Sequence, residues 1–137
     1  IATLASEISK IPRLRTFLVD FQRRLATTGE QICIMEGRDI GTIVFPQAFC
    51  KIFLTASLEV RTRRRLEELN ASGNTTISYQ ELFKDITQRD QQDTQRKVAP
   101  LLQADDAVLI DTSTLSIVEV EAQIARLIQE RRHKCEF

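Results

Sequence analysis

Arg38 and Asp39 stand side by side in "MEGRDIGTIVFP" (35–46), framed by Gly37 and Gly41. A guanidinium offers two parallel donors to an anion, and the adjacent carboxylate accepts hydrogen bonds or stays paired to it. The segment follows the apolar run "ICIM". In an open α/β sheet, ligands bind at the carboxyl ends of strands. The glycines would let the backbone turn and come close to a ligand. A solvated turn with a local ion pair is the plainer alternative.

Two more groups of charges share a spacing. In "VRTRRRLEEL", Arg61, Arg64 and Arg65 fall at i, i+3 and i+4, one helix face. Such cations repel by roughly a few tenths of a kcal/mol per pair, and Glu67 and Glu68 offset part of that. They suit either a solvated mixed-charge helix or a phosphate clamp, since planar guanidinium forks match phosphate oxygens. In "TQRDQQDTQRKVAP", Arg89, Asp93 and Arg96 fall at i, i+4 and i+7. Arginine four residues ahead of aspartate is the less favourable order for helix support. Two cations flanking one acceptor could instead grip a phosphorylated sugar. Both readings stay open on spacing alone.

These groups sit in one domain's worth of chain. The 137 residues carry 19 basic and 19 acidic side chains, which gives no net field toward nucleic acid or membrane. The 42% hydrophobic and 28% charged composition is that of a globular protein with a real core. Cys33, Cys50 and Cys135 form no C-x-x-C pair, so we expect buried thiols in a reducing, cytoplasmic setting. No apolar run reaches membrane-spanning length and no signal peptide is visible. His133 lacks a metal-binding neighbour, and Tyr79 reads as a packing residue. No metal site is expected.

The positioning elements follow from periodicity. Residues 2–10 are helix-spaced. Pro12 suits the first turn of a second helix through "RLRTFLVDFQRRLAT", whose Leu14, Phe17, Leu18, Phe21 and Leu25 form one apolar stripe that Gly29 would end. "QICIM", "CKIFLTA" (50–56) and "AVLIDT" (107–112) read as buried strands. Ser57 caps a helix over 58–70. Ser78 with Glu81 and Ser116 with Glu119 make capping boxes for helices over 79–96 and from 117. Alternating strands and helices predict an α/β fold around a parallel sheet.

Together, "EGRDIGTIVFPQAFCKIFLTAS", the arginine-rich helix after it and "QRDQQDTQRKVAPL…DAVLIDTSTLSI" resemble bacterial cytidylate kinases, through nearly the whole chain. The resemblance implies a P-loop nucleoside monophosphate kinase fold that transfers the γ-phosphoryl of ATP, with Mg2+, to CMP or dCMP. It implies that Arg38 and Arg96 grip the CMP phosphate and are the catalytic cations. Ser6, Arg15 and Asp39 would read the cytosine, and Arg89 and Asp93 the sugar hydroxyls. Arg61, Arg64 and Arg65 would belong to a lid over the ATP phosphates, within 57–98. A UMP kinase is the nearest enzyme alternative.

One family feature is missing from these residues. None of the four glycines begins a G-x-x-x-x-G-K-[ST] loop, the element that cradles ATP phosphates. The chain also opens on Ile1 rather than methionine, so residues 1–137 are expected to be a single partial kinase domain. The implied fold places the absent first strand between residues 32–35 and 50–54. The piece would then be inactive alone, with a pyrimidine-nucleotide-binding remnant without catalysis as the alternative, and would either pair those strands directly or self-associate, whereas the parent would be a monomer.

Overall fold

The computed structural model describes residues 11–27, 32–73, 76–96 and 98–135. Ser6, the helix expected over 2–10 and Gly29 lie outside the described residues. Helix α1 (Pro12–Thr27) starts at its proline, where the missing N–H leaves nothing unpaired. Its apolar stripe does not become core. Phe17, Leu18, Phe21 and Leu25 stay exposed, and the Phe17 and Phe21 rings stack at 6.3 Å. The described packing of α1 is against residues 40–44, and polar bonds from Arg15 and Arg23 make that contact.

The first expected strand is also absent. Residues 32–36 are irregular, with Ile32 84% and Ile34 88% exposed. Cys33 is exposed rather than buried, and Cys50 is half-buried; both are free thiols. A strand exists through hydrogen bonds to a neighbour, and among the described residues only two strands pair with each other. The direct pairing of 32–35 with 50–54 is therefore not formed.

Beyond it, Ile40–Val44 makes a single π-helical turn after Asp39. The Ile43 and Val44 amides donate to the Asp39 carbonyl at 2.9 and 3.2 Å, and the Phe45 amide to Ile40 at 2.7 Å. Val44 is buried at its end.

Strands β1 (Ile52–Thr55) and β2 (Val108–Asp111) form a parallel pair in the register Ile52↔Val108 to Thr55↔Asp111. A parallel pair needs a long crossover. Helices α2 (Leu58–Ala71) and α3 (Tyr79–Gln95) supply it and pack on one another. Among the described residues, the buried apolar side chains are Val44, Ala56, Leu82, Ala99 and Ile110. Tyr79 is a packing residue, its ring 6.0 Å from that of Phe83. Helix α4 (Ile117–Cys135) follows β2. No described helix is long and apolar enough to cross a membrane.

The helix starts follow the capping rules. The Ser57 hydroxyl accepts from the Val60 amide at 3.3 Å. Ser78 and Glu81 bond reciprocally, as do Ser116 and Glu119. Those bonds satisfy amides that helix geometry leaves orphaned. Bonds to the Ser78 side chain and amide hold the Glu81 carboxyl below its ordinary value of 4.5, and the Ser116 amide and hydroxyl do the same for Glu119.

Because both values are depressed, the caps contribute fully above pH 4.5 and are lost as pH falls through the folded-state values. Helical circular dichroism should drop in that window, and Glu81→Gln should flatten part of the drop. Ser78→Ala should cost about 1 kcal/mol in urea unfolding.

Candidate functional site

Arg38 and Asp39 stand between Gly37 and the turn Ile40–Val44, and these two adjacent charges leave in different directions. Asp39 does not pair with Arg38. It pairs with Arg15 from α1, both side chains 15% exposed. Arg38 instead reaches Asp93 on α3, its Nε 3.2 Å from Oδ2. Gly37 and Gly41 serve close packing rather than an unusual backbone. A methyl on Gly37 would lie 2.8 Å from Ile40 Cγ1, and one on Gly41 3.4 Å from the Lys51 stem. Neither glycine has positive φ.

Asp93 is the centre of the site. Its side chain is 9% exposed, and Arg96 Nη2 lies 3.3 Å from Oδ1, so two guanidinium groups flank one buried carboxylate. The sequence spacing named Arg89 and Arg96 as the flanking cations; the structure substitutes Arg38 for Arg89. Arg89 lies one turn before Asp93, exposed, and its side chain forms no hydrogen bond or ion pair among the described residues. Arg96 is not on the helix face either. The helix ends at Gln95, and Arg96 is the extended residue after it, with ψ 140°. Its return to Asp93 depends on the next turn, where the Leu101 amide donates to the Asp93 carbonyl at 2.8 Å.

Close approach is not the same as a satisfied bond here. Asp93 Oδ2 and Arg96 Nη2 are buried and have no aligned hydrogen-bond partner, although each is within 3.3 Å of an opposite charge. A buried polar atom left without an aligned partner costs about 1–3 kcal/mol. Asp93 Oδ2 thus keeps an unused acceptor and Arg96 Nη2 an unused donor.

The arginines of α2 are committed elsewhere. Arg61 bridges to Asp90 of α3 at 2.6 Å and donates to the Ala56 carbonyl at 3.0 Å. Arg64 donates to the Thr112 hydroxyl and carbonyl at 3.0 and 2.7 Å and to the Leu115 carbonyl at 3.1 Å. Arg65 pairs with Glu68 on its own helix. The shared face was legible, but its partners lie across the crossover. At the strand ends, Asp111 accepts from the Ser113 hydroxyl and amide, which hold it below the usual carboxylate range.

Two supporting residues escaped the sequence reading. Lys51 is buried, donates to the Pro46 carbonyl and pairs with Asp106 at 2.8 Å, which holds the Asp106 carboxyl below its ordinary value. A lone cation inside "CKIFL" was the available signal, because a lysine there must find a partner. Arg23 donates to the Val44 and Ile43 carbonyls; nothing in "FQRRL" marks it.

Comparison with known proteins adds a second line. The family described as "Cytidylate kinase" matches residues 1–130. The chain is similar to the cytidylate kinases of Carboxydothermus hydrogenoformans, 44% identical over 128 residues, and of Fervidobacterium nodosum, 49% over 127. It is also similar to that of Saccharophagus degradans, 46% over 132. These alignments cover 93%, 93% and 96% of this chain but 56%, 57% and 58% of the relatives. The chain thus spans little more than half the length of the curated relatives it matches.

Removing the shared acceptor tests the site directly. Asp93→Ala leaves two guanidinium groups without their shared acceptor and should cost about 1–3 kcal/mol. Inorganic phosphate should then raise the melting temperature of the variant more than that of the parent. Equal shifts would show that no anion enters between Arg38 and Arg96.

Proposed function

The chain belongs to the cytidylate kinase family, and from that premise we propose that the whole protein transfers the γ-phosphoryl of ATP to CMP or dCMP. The observation that supports this most is Asp93 between Arg38 and Arg96, with Asp93 Oδ2 and Arg96 Nη2 lacking aligned partners. A nucleotide phosphate entering there takes the two guanidinium forks. Asp93, released from them, accepts from a sugar hydroxyl, with Arg89 one turn away to assist. Phosphoryl transfer asks the protein for in-line placement and for cations around the moving charge, not for covalent chemistry. Arg38 and Arg96 supply both on the acceptor side.

Base recognition falls to Asp39, steadied by Arg15, with Ser6 as a further contact. A carboxylate accepts from the exocyclic amine of cytosine and faces an oxygen in uracil. That favours CMP over the UMP alternative. Lid closure by α2 requires Arg61 and Arg64 to exchange Asp90 and Thr112 for ATP phosphate oxygens. Closure also excludes water as a competing acceptor. Among the described residues no three histidine, cysteine or carboxylate side chains gather as a metal site. Magnesium in such sites is held by one or two carboxylates together with the substrate phosphates, which it would bring to the ATP side of the reaction.

For the 137-residue polypeptide by itself, the absence of a G-x-x-x-x-G-K-[ST] stretch favours a second reading, binding without turnover. Among the described residues each of its paired strands has a strand neighbour on one side only, which favours self-association of this polypeptide in the cytoplasm, with the parent enzyme a monomer.

Calorimetry should show CMP binding to this polypeptide and UMP binding weaker by about tenfold or more. A coupled assay with ATP, CMP and magnesium should show no ADP release above background. No CMP binding would refute the nucleotide reading, and normal turnover would refute the binding-only one. Size exclusion with light scattering should give a species larger than one chain; a stable monomer would reject self-association.

A further inference from the structure

Helix α1 touches the π-helical turn at both of its ends. At the amino end, Arg15 pairs with Asp39, the residue that begins the turn. Eight residues further along α1, Arg23 Nε donates to the Val44 carbonyl at 2.9 Å and Nη2 to the Ile43 carbonyl at 2.8 Å. Asp20, a turn earlier on the same helix, lies 3.9 Å from Arg23 Nη1 and helps hold the guanidinium. Lys51 closes the other side, its stem against Gly41.

A single π turn is a poor structure by itself, because it is short and its last carbonyls have no partner within it. A guanidinium across those carbonyls satisfies two acceptors at once and places positive charge where the turn's dipole is negative. The residues at the other end of this turn are Arg38 and Asp39. Their directions, one toward Asp93 and one toward Arg15, therefore depend on whether the turn keeps its shape.

We propose that Arg23 is a positioning residue for the nucleotide site: it clamps the carboxyl end of the π turn and thereby fixes the aim of Arg38 and Asp39. Arg23 touches no substrate; it acts through the backbone of residues 39–44. The role rests on the reading of that site as a CMP site. Its structural half, the clamp, can be tested without ligand.

The test compares the parent chain with Arg23→Met, Arg23→Lys and the neighbour control Arg24→Met. Among the described residues the Arg24 side chain bonds only within α1, to the Asp20 carbonyl. Amide hydrogen exchange at Ile43, Val44 and Phe45 should accelerate by about tenfold or more in Arg23→Met and less in Arg23→Lys. Exchange at Val108 and Thr112, whose amides donate across the strand pair, should not change, which shows that the fold persists. In calorimetry, CMP affinity should fall by about tenfold and the CMP-to-UMP ratio should narrow, because Asp39 loses its aim. Arg24→Met should match the parent in both. Unchanged exchange at 43–45 in Arg23→Met would overturn the proposal, as would equal effects from Arg24→Met. An affinity loss that leaves the CMP-to-UMP ratio intact would overturn the claim on Asp39. A parent chain that binds no CMP refutes the nucleotide reading instead, and the exchange arm still decides whether Arg23 holds the turn.

Discussion

A buried carboxylate between two guanidinium groups can hold two distant segments together only while its charges stay compensated. Asp93 does this between Arg38, 55 residues earlier in sequence, and Arg96, just past the end of its own helix. Taking one charge out of water is costly, and each partner lowers that cost. The triad therefore fixes where the 37–46 segment lies against α3. Arg15 with Asp39 and Lys51 with Asp106 add ties of the same kind around the segment. The arrangement is held more by directed polar contacts than by apolar burial, which in the described residues is confined to a few side chains.

That balance explains which features were legible in the sequence. Helix starts rest on bonds between residues three apart, so Ser57, Ser78 with Glu81 and Ser116 with Glu119 could be read directly and stand where expected. The strands at 52–55 and 108–111 lie inside the predicted runs because each has the other as neighbour. "QICIM" carries the same β-branched signature without a described partner, and its described residues, 32–35, form no strand. The same cause leaves the α1 stripe exposed. Amphipathic periodicity states which face could be buried, not that something covers it.

The site was half legible. Its charged residues were identifiable by type and spacing, and Arg38, Asp93 and Arg96 do converge. Pairings were not, because local spacing nominates neighbours within one helix while the geometry recruits residues from elsewhere: Arg38 in place of Arg89, Asp90 for Arg61, Thr112 for Arg64. Arg23 and Lys51 show the opposite case. Their partners are mostly backbone carbonyls, which have no signature in a sequence, so neither could be assigned a role before the chain was folded.

The turn that brings Arg96 back has an unusual residue in it. Ala99 is buried, sits directly before Pro100 and adopts φ 50°, a left-handed conformation that costs an L-residue with a side chain about 1–2 kcal/mol. A short peptide of residues 93–101 would avoid that shape, so the assembled fold imposes it. The place of Arg96 beside Asp93 is consequently a property of the assembled fold, because a segment cut free of its surroundings would relax at Ala99 and lose the turn that follows the guanidinium.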